Sequence, residues 1–236
     1  MKKLICTFLI VVAGFGVLHA QEYPVEILTG KVDVTMEHDL SGVKPEVVSA
    51  FLKMQEAAAA EGIELKVVSG FRNYQRQLEI WNDKYKKYRK EGLTPPQAVE
   101  KIIEYSTIPG TSRHHWGTDL DIIDEAPDER EKVLDPEKFE EGGPFYKMKL
   151  WMDEHAESYG FYLVYTNAPG RKGFHYEPWH YSYAPISVPM LKAYLAQDIN
   201  EIVQTADLLG GQLLSESFLE QYKREQISDI NKDLID

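Results

Sequence analysis

The chain has 236 residues, enough for one domain with a sizeable core, and carries 38 acidic against 26 basic residues for a net charge of −12. That excess repels nucleic acid and anionic membrane surfaces, so neither is expected as a partner, and an anionic substrate needs a local cation. The single cysteine, Cys6, excludes disulfides and cysteine-zinc clusters from everything after it and leaves His, Asp and Glu to hold any metal. Residues 1–20 set Lys2 and Lys3 ahead of an apolar run and end on Ala20, the pattern of a secretory signal peptide, which implies export to the periplasm or cell envelope. The run is shorter than a bilayer requires, so no membrane span is expected after cleavage.

Pro45 opens a helix with Val47, Ala50, Phe51, Met54, Ala57 and Ala58 at three- and four-residue steps, ending near Gly62. Alternation over 63–69 predicts a strand that runs into a Ser69-Gly70 turn. Helices are expected over 74–89 and, after Thr94-Pro95-Pro96, to about Tyr105. Pro109-Gly110 marks a turn, then comes a loop into a strand over 118–123. The charged stretch 124–143 reads as a surface insertion. A helix over 145–159 closed by Gly160, a strand over 161–165, a turn over 168–173 and a strand over 174–181 complete the body, and the segments 199–209 and 218–230 look helical. Helices near one end of a small antiparallel sheet make this an α+β fold, with a body over 21–198 and a helical tail over 199–236.

Chemistry concentrates in two short stretches, "SRHHWGTDLD" over 112–121 and "EPWH" over 177–180. Four of the seven histidines, His114, His115, His175 and His180, fall in or beside these two stretches, which also carry acids, a glycine and tryptophans. Gly117 lets the backbone turn from loop to strand, where Asp119 and Asp121 share a face. His114, a strand aspartate and His180 make a set of two imidazoles and one carboxylate, the three-ligand form of a catalytic zinc site with a fourth position open to water. Glu177, three residues before His180, is the candidate base outside the ligand set.

These stretches resemble a known family. "SRHHWGTDLD" is similar to the S-x-H-x-x-G-x-A-x-D signature of the zinc D-alanyl-D-alanine carboxypeptidases of the VanY type, and "EPWH" resembles that family's E-x-W-H. "SGFRNYQRQLEIW" over 69–81 resembles its S-G-x-R element followed by a helix bearing Gln, and the likeness extends over 47–183. The group also includes D-Ala-D-Ala dipeptidases, some phage L-alanyl-D-glutamate endopeptidases and the amino-terminal domain of hedgehog proteins. The resemblance implies a hedgehog/D-Ala-D-Ala peptidase-like sheet, Zn2+ held by His114, Asp121 and His180, and Glu177 as general base and acid. It makes Arg72 the arginine that stabilises the oxyanion or binds the substrate carboxylate, and Ser112 a hydrogen-bond donor to the substrate. One departure stands out: the family's small residue is Asp119 here, so either aspartate can reach an ion, and the choice of Asp121 rests on the resemblance.

The expected function is therefore a zinc-dependent D,D-carboxypeptidase removing the terminal D-alanine of peptidoglycan stem peptides, with 21–198 as the zinc peptidase domain. The same site also suits a peptidoglycan endopeptidase or a D-Ala-D-Ala dipeptidase. From other classes, a non-haem iron(II) oxygenase shares the two-histidine, one-carboxylate set, and an inactive zinc-binding module shares the fold. Glu177 and Arg72 favour hydrolysis over both.

Overall fold

The computed structural model describes residues 23–35 and 37–235, and the expected signal segment with Cys6 lies outside them. Its four strands are Leu65–Ser69 (β1), Asp119–Asp124 (β2), Phe161–Leu163 (β3) and His180–Tyr183 (β4). They form one sheet in the order β1-β2-β4-β3, with every neighbouring pair antiparallel. The longer helices among the described residues are Pro45–Ala60 (α1), Tyr74–Lys90 (α2), Pro95–Ile102 (α3), Tyr146–His155 (α4), Ala184–Leu195 (α5) and Glu216–Tyr222 (α6). This is the α+β arrangement that the sequence predicts. No helix among the described residues is long and apolar enough to cross a membrane.

Alternation along the strands divides the sheet into two faces. Leu65, Val67, Leu120, Ile122 and Tyr181 join Val47, Phe51 and Met54 of α1 and Met148 and Met152 of α4 in one core. The alternate positions Asp119, Asp121, His180 and Ser182 lie on the other face. A second core gathers Leu78 and Trp81 of α2, Val99 and Ile102 of α3, and Met190 and Tyr194 of α5. Tyr165 belongs to that second core and meets the His180 ring edge-on, with centroids 5.0 Å apart. The polar face of the sheet thus sits where the two cores meet.

Several sequence expectations need correction. The motif at 113–116 is one turn of 3-10 helix, not a loop. The strand expected over 174–181 begins only at His180, because Pro178 has no donor for a ladder and His180 N–H instead closes a turn onto the Glu177 carbonyl at 3.0 Å. The 124–143 stretch is not wholly on the surface. Its 3-10 turn Pro136–Phe139 buries Phe139 against Phe145 and Trp179, with centroids 5.1 and 5.7 Å away. Helix α5 is not foreseen at all, since Pro185 and Pro189 argue against it. It forms because Pro185 falls in its first turn and Met190, Leu191 and Tyr194 bury an apolar face.

Residues of the 199–236 segment share the second core: Leu208, Leu219, Tyr222, Ile227, Ile230 and Leu234 are buried there beside Leu78 and Trp81. The Trp81 indole donates to the Leu209 carbonyl at 3.0 Å. The Tyr222 hydroxyl accepts from the Ile108 N–H at 3.1 Å and lies 3.0 Å from Thr111 Oγ1, just upstream of the histidine motif. Replacing it, Tyr222→Phe, leaves that buried N–H without its partner and is expected to cost about 1–3 kcal/mol. Thermal unfolding reads the loss as a lower Tm, and an unchanged Tm refutes the coupling.

Candidate metal and catalytic site

Sheet register brings the acidic and imidazole side chains together. In the β2–β4 ladder Asp121 pairs with His180 and Asp119 with Ser182, while β1 sets Ser69 opposite Asp121. Glu177 enters through the turn that precedes β4, its N–H held by the Tyr165 carbonyl at 3.1 Å. His114 enters through the 3-10 turn Arg113–Trp116, which ends on Gly117 in the left-handed region at φ 66°. A Cβ on Gly117 would lie 2.4 Å from the Gly42 carbonyl oxygen, so no larger residue fits this reversal.

His114, Asp121 and His180 each offer a ligand atom, and these atoms lie within 4.8 Å of one another. The His114 Nδ1–H donates to the Gly70 carbonyl at 2.6 Å, which turns Nε2 toward Asp121 Oδ2 at 3.4 Å. His180 is used the other way round. Its Nε2–H donates to Asp119 Oδ2 at 3.0 Å, and Nδ1 faces Glu177 Oε2 at 3.1 Å and Asp121 Oδ1 at 3.5 Å. Asp121 Oδ1 is buried with no hydrogen-bond partner. A buried carboxylate oxygen left unpaired between two imidazole nitrogens is costly unless a cation meets it, so this donor set fits a divalent ion.

Asp119 does not compete for that ion, because all of its acceptor capacity is taken. Oδ1 accepts from Thr118 Oγ1 at 2.8 Å and Ser182 Oγ at 2.7 Å. Oδ2 accepts from Arg113 Nε at 2.8 Å and from His180. Burial alone would raise the Asp119 carboxyl, but Arg113 and His180 hold it far below the usual range. Burial also disfavours a charged His180, yet the bonds to Asp119 and Glu177 override it and push the imidazole up to about 10. Hydrogen-bond saturation thus distinguishes the two aspartates: both Asp119 oxygens are engaged, whereas Asp121 Oδ1 is free.

Arg72 is fastened from both ends. Its N–H donates to the His114 carbonyl at 3.1 Å, and its own carbonyl accepts from His115 Nδ1 at 2.6 Å. The guanidinium reaches Gln77 Oε1 and Ser69 Oγ, both at 2.9 Å, and Gln77 is oriented by its bond to the Thr107 carbonyl at 2.8 Å. Burial lowers the Arg72 pKa, and the negative charges of Asp121 and Glu177 oppose the shift. Ser112 sits at the N-cap position of the 3-10 turn but makes no capping bond with its side chain, and it lines the cleft instead. His115, pushed down to about 3 by burial, is a neutral strut that also accepts the Gly110 N–H at 3.1 Å. His175 is exposed and packs edge-on to Tyr105.

All six expected site residues line one open cleft of about 520 Å³. Residues not singled out from sequence line it too: Lys84 of α2, Tyr105, Ser106, Arg113, Tyr165, and Leu134 to Pro136 of the 124–143 stretch. For Arg113 a signal was present, since it stands one residue before His114 and six before an aspartate in the same motif. For the others only the folded chain brings them near.

Residues 40–186 match the VanY family of D-alanyl-D-alanine carboxypeptidases. The chain belongs to this family. A D-alanyl-D-alanine carboxypeptidase of Enterococcus faecalis is 29% identical over 162 residues, 67% of this chain and 55% of that protein, so the chain spans about half of its length. An uncharacterised protein of Haemophilus influenzae is 32% identical over 122 residues, 51% of this chain and 92% of its own. Among solved structures, VanYB in complex with D-alanine-D-alanine superposes with a TM-score of 0.50 at 25% identity, covering 70% of this chain and 83% of that one. A Zn(II) complex of the vancomycin-resistance D,D-pentapeptidase VanY gives 0.52 at 23% identity, covering 73% and 90%, and shows the same fold.

Two outcomes follow for a VanY-type site built this way. Asp121→Ala is expected to abolish zinc binding, whereas Asp119→Ala, which removes only the brace behind His180, weakens it by about 10- to 100-fold. Competition with a chelator measures both, and the reverse ranking refutes the ligand set. Metal uptake is also coupled to protons. With a folded-state pKa of about 10, His180 is charged at pH 8 in the metal-free protein, whereas an ordinary histidine near 6.5 is neutral there. Zinc added at pH 8 is therefore expected to release at least one proton per ion, that of His180, measurable by calorimetry in buffers of different ionisation heat. Release of none contradicts the bracketing of His180 by carboxylates.

Proposed function

We propose that the protein is a zinc-dependent D-alanyl-D-alanine carboxypeptidase that removes the terminal D-alanine of peptidoglycan stem peptides in the cell envelope, after export directed by residues 1–20. The observation that carries the reading is the meeting of His114, Asp121 and His180 ligand atoms with Glu177 and Arg72 at one cleft. Family membership supports the reaction class.

His114 Nε2, His180 Nδ1 and an Asp121 oxygen would hold the ion. A zinc ion held by such a set supplies a Lewis acid and lowers the pKa of water to about 7. Glu177, buried beside His180, takes the proton of the attacking water and returns it to the departing D-alanine amine as the C–N bond breaks. Arg72 presents a planar guanidinium to the charge that develops on the carbonyl oxygen, or to a substrate carboxylate. Its two bonds to Ser69 and Gln77 fix the fork before substrate arrives. Ser112, with no capping duty, is free to donate to the peptide. Tyr165 and Trp179 wall the cleft with apolar surface, which excludes water and strengthens these interactions.

The test is a pentapeptide ending D-Ala-D-Ala incubated with zinc-loaded protein, with products identified by mass. Release of single D-alanine is expected. Release of the D-Ala-D-Ala dipeptide assigns the dipeptidase reaction instead, and internal cleavage assigns the endopeptidase. Glu177→Gln keeps the size of the side chain and the zinc content but cannot take the proton, so turnover is expected to fall by about 10²- to 10⁴-fold. His180→Ala removes the metal itself. Full activity in Glu177→Gln, or zinc loss as complete as in His180→Ala, refutes the assignment of the base.

A further inference from the structure

A carboxypeptidase must tell a free C-terminus from an internal peptide bond, and the cleft contains a second cation placed to do so. Helix α2 presents Gln77, Ile80 and Lys84 at steps of three and four residues, hence on one face. Gln77 holds Arg72, and Ile80 and Lys84 line the same cleft as Glu177 and His180. Seven residues of helix place Lys84 about 10 Å along the axis from the residue that anchors Arg72. Lys84 Nζ donates to the hydroxyl of Ser106, another cleft residue.

Lys84 differs from three other cations of α2 in having no carboxylate partner. On the outer faces of α2, Arg76 pairs with Glu79 at 3.1 Å, Lys86 with Asp83 at 3.6 Å and Lys87 with Glu91 at 4.0 Å. Among the described residues no carboxylate lies within ion-pair distance of Lys84, although the chain has 38 acidic residues to offer. Burial pushes the ammonium down, with Glu177 opposing, so it is partly withdrawn from water. A desolvated ammonium with one neutral acceptor keeps two N–H donors unused, and a ligand carboxylate supplies both the missing charge and the acceptors.

We propose that Lys84 binds the C-terminal carboxylate of the peptide, leaving Arg72 to the oxygen of the scissile carbonyl. The assignment rests on the carboxypeptidase reading above. It makes Lys84 the residue that selects an acid over an amide at the end of the substrate. A charge-assisted hydrogen bond of the usual strength gives a preference of about 10- to 100-fold.

The experiment uses zinc-loaded Glu177→Gln protein, which turns over slowly, and a pentapeptide ending D-Ala-D-Ala as the free acid and as its C-terminal amide, with binding measured by calorimetry. The acid is expected to bind about 10- to 100-fold tighter than the amide. Adding Lys84→Met should bring the ratio close to one with zinc content and Tm retained, while Lys84→Arg, which keeps the charge, should retain a preference. A preference that survives Lys84→Met overturns the assignment and leaves the carboxypeptidase reading standing. Binding of neither peptide by the Glu177→Gln protein overturns both.

Discussion

The site depends on the pairing register of β2 against β4. Because side chains alternate along a strand, pairing Asp121 with His180 also pairs Asp119 with Ser182 and places all four on the face away from the α1 and α4 core. A slip by one residue would bury Asp119 and Asp121 among Val47, Phe51 and Met54 and expose Leu120 and Ile122. That alternative carries so large a penalty that the apolar core itself enforces the geometry of the ligands. The two functions of the sheet, packing on one face and chemistry on the other, are a single constraint.

The same face tolerates a dense set of charges because each has a defined counterpart. Asp119 is buried with four donors, Arg113 spans Asp119 and Ser182 and stacks over Trp116, and His115 is neutral between two backbone groups. Against that satisfied background the unpaired Asp121 oxygen and the uncompensated Lys84 are informative. A buried carboxylate oxygen left unpaired beside two imidazoles is stabilised when a cation meets it. One point suits a divalent cation and the other an anion.

How much of this was legible in the sequence follows from how far apart the partners are. His114 is five and seven residues from the two strand aspartates and Glu177 is three from His180, so local pattern singled out this set, the family resemblance chose Asp121, and the structure brings these four side chains together. The choice between Asp119 and Asp121 was not legible in that local pattern, since it turns on Ser182, which is 63 positions from Asp119. Lys84 was invisible for the same reason: on α2 it is one of several surface-looking lysines until Ser106 and Glu177 are folded against it. Local rules also misled where tertiary packing overrode them. Aromatic residues over 174–181 imitated a strand although Pro178 and the turn onto Glu177 interrupt it, and two prolines concealed α5.

The Tyr222 hydroxyl supports the Ile108–Thr111 stretch across a separation of 114 positions. Every metal-ligand candidate is therefore synthesised well before the segment that steadies the loop leading to His114. Such a long-range closure comes late in folding, after the loop entropy has been overcome. A nascent or C-terminally clipped chain therefore holds every candidate ligand before it gains the bond that steadies the loop leading to His114.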